Sequence, residues 1–427
     1  MSQIDAKDVP ADETSRERLA VQTLDYRVTS ADEADDWTRA DARGFNSPVP
    51  TADELRFARG VFAERRNIGV YEGAGEMPIA TVCSWVTPMT VPGGELDMWA
   101  ISSVTVASTH RRRGIARALL EGELRAAAAA DVPVAGLTVT EATIYGRYGF
   151  ASAIPVARMK IDAQRAGWAG PSAPGRIAYV SREDAVDLLG ELHERTRTAR
   201  AGQIAGWRSR WVQHSGLAAG QEKGASVRAV QYTDEQGQLQ GALTYSLRER
   251  TSGFRFDLAI HQLIAASDEA LVALWGFALN HDLVDQITAD LRPVDDPLPW
   301  LVTNRRGVEM TPHDHGWLRI LNVPEALTGR RYSAPLDLVL QVDDPLDFAA
   351  GLWCFAVDDE GTASVTEVSN TAPDVRCDVN ALSAIYAGGY PAAPLAAAGR
   401  MQASPETVTA LTRAFATDAA PTLSIWY

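Results

Sequence analysis

The chain has 427 residues, of which 46% are hydrophobic and 22% are charged, the balance of a folded globular protein rather than a disordered or fibrous one. A chain of this length exceeds what one hydrophobic core usually organises, so we expect two or three domains. The formal net charge of −15 argues against a nucleic-acid partner and favours cationic partners such as amines.

Neither a metal site nor a disulfide framework is predicted. The three cysteines, Cys83, Cys354 and Cys377, lie far apart and lack the spacing of zinc ligands. Cys83 falls in the apolar run IATVCSWV and is predicted to be a core residue. The chain has no apolar signal segment and no apolar run long enough to cross a bilayer, so we expect a cytoplasmic protein with no membrane partner.

The first 23 residues are polar and charged and have no periodic apolar face, so residues 1–23 are predicted to form a flexible arm. A strand follows at Tyr26. Ser30, with Glu33 three residues later, has the pattern of a capping box at the start of a helix. The β-rich runs NIGVYEG and MPIATVCSWVTPMTV are then expected to be antiparallel neighbours.

A basic turn connects the strand MWAISSVTVAS to the helix HRRRGIARALLEGELRAAAAAD, and a further strand, VPVAGLTVT, comes next. The start of a helix has unpaired backbone N–H groups and partial positive charge, and it therefore binds anions. Arg111, Arg112 and Arg113 add charge, and Gly114 allows close approach because it has no Cβ. The turn matches neither a P-loop nor a GxGxxG fingerprint. It predicts a pyrophosphate site, the alternative being a basic helix start that faces solvent.

The pattern Arg-x-x-Gly-x-Ala, from Arg111 to Ala116, resembles the pyrophosphate loop of the GNAT acetyltransferase superfamily. Together with IYGRYGF and the aromatic carboxy-terminus PTLSIWY, it makes nearly the whole chain resemble the enhanced-intracellular-survival (Eis) family of bacterial acetyltransferases. That resemblance implies an α+β fold of tandem GNAT-like domains, the second degenerate, followed by a sterol-carrier-protein-like α/β domain.

The remaining sequence agrees with this organisation. Residues 24–162 are the predicted catalytic GNAT domain. Residues 163–310, the degenerate GNAT-like domain, weakly repeat the order hairpin, strand, helix, strand, but SDEALVA stands where the first domain has HRRRGIA. If the two domains are duplicates, the second has lost its anion site. Residues 311–427, the sterol-carrier-protein-like domain, contain alternating strands and two helices that start at Asp378 and Ser404.

The resemblance also implies the residues of the site. Acetyl-CoA is the implied co-substrate, with no metal. Tyr145 takes the role of general acid, and the terminal carboxylate of Tyr427 takes that of general base. Trp37 and Phe45 fall where the family lines its acceptor pocket. The implied cofactor contacts are Val104, Thr105, Val106, Arg112, Arg113, Gly114, Ile115, Ala116, Arg117, Thr140 and Glu141.

These roles agree with the chemistry of acetyl transfer. The attacking amine must be neutral, but alkyl amines have a pKa of about 10.4, so a group must accept a proton. An α-carboxylate, with a pKa of about 3.5, is a weak base in water, and burial beneath SIWY would raise that pKa. Alternatively, the carboxylate of Tyr427 holds the cationic amine while water carries the proton. Strand amides at residues 104–106 can polarise the thioester carbonyl, and Tyr145 or its rival Tyr148 can protonate the thiolate.

Other ionisable residues have simpler interpretations. Glu141 either contacts the cofactor or stabilises a helix N-terminus. His110 is predicted to be a solvated loop residue, and His313 and His315 are predicted to lie in a loop rather than in a metal site.

The predicted activity is acetyl-CoA-dependent N-acetylation of primary amines in aminoglycosides or similar polycationic molecules, at one or several positions. Lysine side chains are an alternative acceptor, and a non-enzymatic protein that binds acetyl-CoA or an apolar ligand is a second alternative. The family commonly has an acidic residue soon after the position of Phe45, whereas this chain has Asn46 and Ser47 there. The difference bears on which polyamines the enzyme accepts. The resemblance also implies a homo-hexamer.

Overall fold

The computed structural model describes residues 4–73, 77–221, 223–251 and 253–427, which divide into two compact units. The first unit contains residues 1–154, 315–418 and 427, and the second contains residues 155–314 and 419–426. None of the helices within the described ranges is long and apolar enough to cross a bilayer.

The segment predicted as a flexible arm is folded from residue 4 onward, while residues 1–3 lie outside the described residues. A 3-10 turn at Ala6–Asp8 precedes helix α1 at Glu13–Ala20, in which Leu19 is fully buried. Asp12 caps this helix and also binds Arg125 at 2.7 Å. The prediction is wrong for these residues because their polar side chains pair with charged groups of the first unit rather than with water.

The predicted catalytic domain begins with a capped helix on an antiparallel sheet. Ser30 and Glu33 form the predicted capping box, which precedes α2. The elements are β1 (Leu24–Val28), α2 (Ala34–Gly44), α3 (Ala52–Ala63), β2 (Arg66–Glu72), β3 (Ala80–Val91), β4 (Gly94–Val106), α4 (Ile115–Ala129), β5 (Val134–Thr138), α5 (Ala142–Tyr145) and β6 (Ala151–Asp162). Helix α4 is rich in Ala and Leu, which favour helix, and it buries Leu119, Leu120 and Leu124 against Trp99 and its neighbours.

In the first unit the strands lie in the order β1-β2-β3-β4-β5, with antiparallel pairs up to β4 and a parallel pair between β4 and β5. The second unit has a similar pattern, with β10 and β11 as its parallel pair. Its elements are α6 (Ala163–Ala166), β7 (Arg176–Val180), α7 (Arg182–Thr196), α8 (Arg208–His214), β8 (Val227–Thr233), β9 (Leu239–Glu249), β10 (Phe256–Ala265), α9 (Asp268–Leu279), β11 (Val284–Arg292) and β12 (Val308–Ile320).

Two long strands depart from the predicted domain assignment, although β6 ends at residue 162, where a boundary was predicted. The part of β6 from residue 157 to 162 pairs with β11 in the second unit, and residues 316–320 of β12 pair with β5 in the first unit. The boundary predicted between residues 310 and 311 therefore cuts a strand. Boundaries drawn from sequence follow chain order, whereas hydrogen bonds between strands far apart in the chain leave no local signal.

His313 and His315 also lie in β12, so the loop predicted for them is wrong.

The third region has its own sheet, in the order β15-β14-β13-β16-β17. Its elements are α10 (Val323–Thr328), β13 (Leu336–Asp343), β14 (Gly351–Val357), β15 (Ala363–Glu367), β16 (Val375–Asp378), α11 (Val379–Tyr386), α12 (Ala392–Ala397), β17 (Met401–Gln402) and α13 (Pro405–Phe415). The helix starts predicted at Asp378 and Ser404 are confirmed, because each side chain accepts a hydrogen bond from the first turn of its helix.

Candidate active site

The parallel strands β4 and β5 separate in the middle of the first unit. Their paired residues end at Ile101 and Leu137, whereas β4 continues to Val106. A bulge marks the separation: the pairing with β3 shifts register, and Ser103 has a φ of 53°. Beyond Ile101, the side of β4 that faced β5 has no paired strand in the described chain, so backbone N–H and C=O groups there can bind a ligand.

The residues at the end of β4 differ in which of their groups a cofactor can contact. Val104 and Val106 are half-buried against the core around α4. Thr105 is buried, its hydroxyl lies 2.6 Å from that of Thr81, and a Cβ on Gly44 would lie 2.3 Å from its own Cβ. Because this side chain is enclosed, Thr105 can contact a cofactor only through its backbone.

The basic turn leaves the start of α4 open. Arg112 has a φ of 63° and Gly114 a φ of 76°, and no side chain caps the helix that begins at Ile115. A Cβ on Gly114 would meet no described atom within 4 Å, so the space in front of the helix is empty of protein. The first N–H groups of α4 therefore remain available to an anion.

A cavity of about 580 Å³ lies at this helix start. Of the predicted cofactor residues it is lined by Val106, Arg112, Gly114, Ile115, Ala116 and Arg117. Arg147, Tyr148, Pro345 and Leu346 also line it and were not predicted. Arg147 and Tyr148 belong to the IYGRYGF run, which was a signal for them. No pattern in the sequence indicated that the loop containing Pro345 lies at this site.

The arginines of the turn are not equivalent. Arg113 donates to Gln22 at 3.3 Å and to Glu72 at 3.2 Å, and Arg117 donates to Glu121 at 2.6 Å. Arg111 and Arg112 form neither hydrogen bonds nor ion pairs with the residues that the structure describes. Glu72 also lies 3.0 Å from the Nε2 atom of His110, which lines the cavity. The unpaired cations face the same cavity as the open helix start.

The residue that follows the last β4–β5 pair holds the end of the chain. The Thr138 hydroxyl donates to a main-chain oxygen of Tyr427 at 2.5 Å, and the Tyr427 N–H donates back at 3.4 Å. The Tyr427 ring lies edge-on to Trp85, with 5.4 Å between centroids, and its hydroxyl is 3.1 Å from the position of a Cβ on Gly136. Burial raises the pKa of this phenol.

Comparison with known proteins identifies these features. Residues 25–153 match the family described as acetyltransferase (GNAT) domain, residues 203–320 match a second acetyltransferase (GNAT) domain family, and residues 323–424 match the sterol carrier protein domain. N-acetyltransferase Eis of Mycobacterium tuberculosis is 31% identical over 347 residues, which is 77% of this chain and 81% of that protein. The chain belongs to the Eis family of GNAT N-acetyltransferases.

Two other proteins extend the match over almost the whole chain. An uncharacterized N-acetyltransferase of Streptomyces avermitilis is 31% identical over 394 residues, covering 90% of this chain and 93% of the relative. The crystal structure of Eis1 from Mycobacterium abscessus is 30% identical with a TM-score of 0.80, and the match covers 95% of this chain and 100% of that one. The predicted fold class, two GNAT domains followed by a sterol-carrier-protein domain, is confirmed, and the protein is an acetyltransferase.

Membership of the GNAT superfamily implies acetyl-CoA as co-substrate, and the residues at the start of α4 fit its diphosphate. The uncapped N–H groups, the open space at Gly114 and the unpaired side chains of Arg111 and Arg112 together make an anion site. The described chain contains no group of three or more His, Cys, Asp or Glu residues placed to hold a metal ion.

The two candidate proton donors occupy different positions in this Eis-family site. Tyr145 ends α5, is buried, and lies edge-on to Phe150 with 6.3 Å between centroids. Tyr148 lines the cavity at α4. Burial raises the pKa of both phenols, which keeps them protonated near neutral pH.

Thr140 and Glu141 are exposed, and Glu141 caps α5. Its carboxylate accepts hydrogen bonds from the N–H of Thr143 at 3.1 Å and from the hydroxyl of Thr143 at 2.8 Å, and these bonds lower its pKa. Of the two interpretations of Glu141 from sequence, the helix-stabilising one is therefore visible in the structure.

The two residues predicted to line the acceptor pocket differ in exposure. The Trp37 indole is buried, donates to the Ile68 carbonyl at 3.0 Å, and packs with Phe62 and Cys83. Phe45 is 45% exposed. Trp37 thus belongs to the core beneath α2 and α3, where the sequence could not distinguish it from a pocket residue. The core position predicted for Cys83 is seen, and burial raises its pKa to about 11.

Proposed function

We propose that this Eis-family enzyme acetylates primary amines of aminoglycosides or similar polycationic molecules, at one or several positions. The observation that carries the proposal is the hydrogen bond from Thr138 to Tyr427. It holds the end of the chain at the point where β4 and β5 separate. A thioester that reaches between these strands from the start of α4 would meet the Tyr427 carboxylate beside the reacting nitrogen.

The cofactor is bound in this proposal by the end of β4 and the start of α4. The N–H groups of residues 104–106 orient the acyl group and stabilise the negative charge that develops on its oxygen. Acetyl-CoA supplies the thioester that is attacked. The diphosphate is held by Arg112, Arg113, Gly114, Ile115, Ala116 and Arg117, and Thr140 and Glu141 complete the contacts after β5.

Proton transfer involves two groups on either side of the thioester. The Tyr427 carboxylate receives the ammonium and takes its proton directly, or it orients the amine while water carries the proton away. Tyr145 then donates a proton toward the leaving sulfur. Its phenol, whose ordinary pKa of about 10 is raised further by burial, is protonated at neutral pH and so has a proton to donate.

The charge of the protein supports a cationic acceptor. A net charge of −15 attracts polyamines at low ionic strength, and the attraction weakens as salt is added. We also propose that the enzyme is cytoplasmic and forms a homo-hexamer. Exposed Tyr179, Phe254 and Trp300 are apolar surface that an assembly would cover.

The test is an assay of free thiol in which the protein and acetyl-CoA are mixed with aminoglycosides, linear polyamines and lysine peptides. We expect thiol release with the polycationic small molecules, and mass spectrometry of the products should count the acetyl groups added to each. Release with peptides alone would favour the lysine alternative. If no amine releases thiol, the proposed function fails.

A further inference from the structure

The carboxyl group of Asp41 in α2 is incompletely satisfied. Helix α2 packs against β3 and β4, and the Ser103 hydroxyl at the bulge of β4 donates a hydrogen bond to this carboxyl. The other oxygen, Oδ1, is shielded from solvent and has no hydrogen-bond partner among the described residues. A shielded carboxylate oxygen without a donor is costly, so a position that keeps one is a candidate for binding a donor from a ligand.

No cation of the protein neutralises Asp41 within the ranges that the structure covers. On the same helix Asp35 binds Arg59 at 2.7 Å, and Arg43 donates instead to the Pro78 carbonyl at 2.8 Å. Asp41 therefore differs from its acidic neighbour, since its negative charge is partly enclosed and not paired.

The face of the sheet that Asp41 approaches is the one that holds Tyr427. Val82 and Trp99 belong to the core around α4, whereas Cys83 packs against α2 and α3 on the other face. Trp85 is two residues after Cys83 in β3 and shares its face, and the Trp85 ring contacts Tyr427.

Asp41 interacts with residues of both strands on this face. Its carboxylate contributes to the raised pKa of the Cys83 thiol, and its hydrogen-bond partner is Ser103 in β4. The uncompensated carboxylate of α2 and the end of the chain thus lie over one surface of β3 and β4.

We propose that Asp41 binds an ammonium group of the acceptor and makes the enzyme specific for molecules with two or more amines. The inference rests on the proposed function. Ser103 fixes one side of the carboxyl and leaves Oδ1 for the N–H groups of the ligand. One ammonium is held at Asp41 while a second amine of the same molecule reacts beside Tyr427. Asp41 thereby determines specificity, and a monoamine uses only the Tyr427 position.

The charges around Asp41 predict how acceptor binding varies with pH. Burial raises the pKa of Asp41 to about 6, opposed in part by the Ser103 hydrogen bond. On β3, Cys83 is neutral near pH 7 because burial raises its pKa to about 11. Arg65, after α3, keeps its charge because burial lowers its pKa only to about 10. In the turn before α2, Glu33 stays ionised because Arg27 lowers its pKa to about 2.

Among the side chains named here, Asp41 is consequently the one that changes charge between pH 5 and 7, whereas an alkylammonium, with a pKa of about 10.4, does not. Protonation of Asp41 below pH 6 removes the charge that binds one amine of a diamine, while the Tyr427 carboxylate faces monoamines and diamines alike. The ratio of the KM for a diamine to the KM for a monoamine of the same length should therefore rise as the pH falls through about 6.

The test compares Asp41→Asn with Asp36→Asn, which lies on the same helix and removes a surface pair with Arg39. With 1,5-diaminopentane as acceptor we expect Asp41→Asn to raise KM about tenfold or more and to abolish the rise of the diamine-to-monoamine KM ratio at low pH. Its KM for pentylamine and for acetyl-CoA should stay within about twofold of wild type. Asp36→Asn should behave as wild type throughout.

Calorimetric titration of the CoA-bound protein with diaminopentane provides a readout without turnover, and we expect weaker binding in Asp41→Asn at pH 7.5. Equal diamine binding and an unchanged pH profile in Asp41→Asn would overturn the inference while the acetyltransferase activity of the wild type stands. Failure of the proposed function looks different, because wild type would then acetylate no amine at all. In that case, calorimetry still decides whether Asp41 binds the diamine.

Discussion

Helices α4 and α9 follow equivalent strands in the two GNAT domains, but their first turns are built in opposite ways. Helix α4 starts after Gly114, with no side-chain cap and with unpaired arginines. Helix α9 starts after Ser267, whose hydroxyl accepts a hydrogen bond from the Ala270 N–H at 3.1 Å, and its first turn carries Asp268 and Glu269. One helix start is open to an anion and the other is closed and acidic. The same fold is therefore kept while the chemistry of one turn decides where a cofactor can bind.

The largest effect should come from Tyr427 at the end of the chain, which Thr138 of the first unit holds by a hydrogen bond. Deleting Tyr427 should lower kcat by about 100-fold or more, because the carboxylate is moved away from the reacting amine. Tyr427→Phe keeps the carboxylate and the ring and should lose no more than about threefold. Steady-state thiol release measures both variants. Full activity after the deletion would show that the carboxylate has no part in the reaction.

Removing the proposed acid should have the next largest effect. Tyr145→Phe should lower kcat by roughly 100-fold without changing the KM for acetyl-CoA, since the ring still packs against Phe150 but cannot donate a proton. Tyr148→Phe is the matched control and should change kcat by less than about threefold. If the two variants exchanged these phenotypes, Tyr148 would be the donor.

A charge change at the start of α4 should make it resemble α9. Arg112→Glu should raise the KM for acetyl-CoA about tenfold, because a carboxylate then faces the diphosphate, and kcat should change little. The corresponding change in the second domain, Asp268→Asn, should leave that KM as it is. Initial rates at varied acetyl-CoA test both, and an unaltered KM in Arg112→Glu would remove the first turn of α4 from the binding site.

The smallest effect concerns the cap of α9. Ser267→Ala should lower the free energy of unfolding by about 1 kcal/mol, because the Ala270 N–H loses its partner. The KM for acetyl-CoA should not change, since this helix start binds no anion. Thermal denaturation followed by circular dichroism measures the first effect, and kinetics measure the second. A raised KM would mean that α9 contributes to cofactor binding.

The parts of the site that sequence predicted are those encoded by neighbouring residues. The turn from Arg111 to Ala116 is one continuous stretch, and the physics of a helix start is sufficient to identify it as an anion site. The role of Tyr427 came only from the family resemblance, and its partner Thr138, almost 300 positions away in the chain, was not predicted. No local sequence pattern predicted that Pro345 and Leu346 line the cavity.

Predictions failed where the residue pattern indicated polarity or chain order but not the partner residues. The segment around Leu19 resembled a solvated arm because the charges that pair with it lie elsewhere in the chain. Strand β12 crossed the boundary predicted after residue 310, and β6, assigned to the first domain, pairs with β11 of the second, because pairing between distant strands has no sequence pattern. In each case the missing information was a long-range contact.

The central claim is that acetyl-CoA binds at the start of α4 and not at the start of α9. Calorimetric titration with CoA tests it most directly, because the stoichiometry counts the sites. We expect one CoA per chain, with binding weakened about tenfold by Arg112→Glu and unchanged by Ser267→Ala. Two CoA molecules per chain, or undiminished binding in Arg112→Glu, would contradict it.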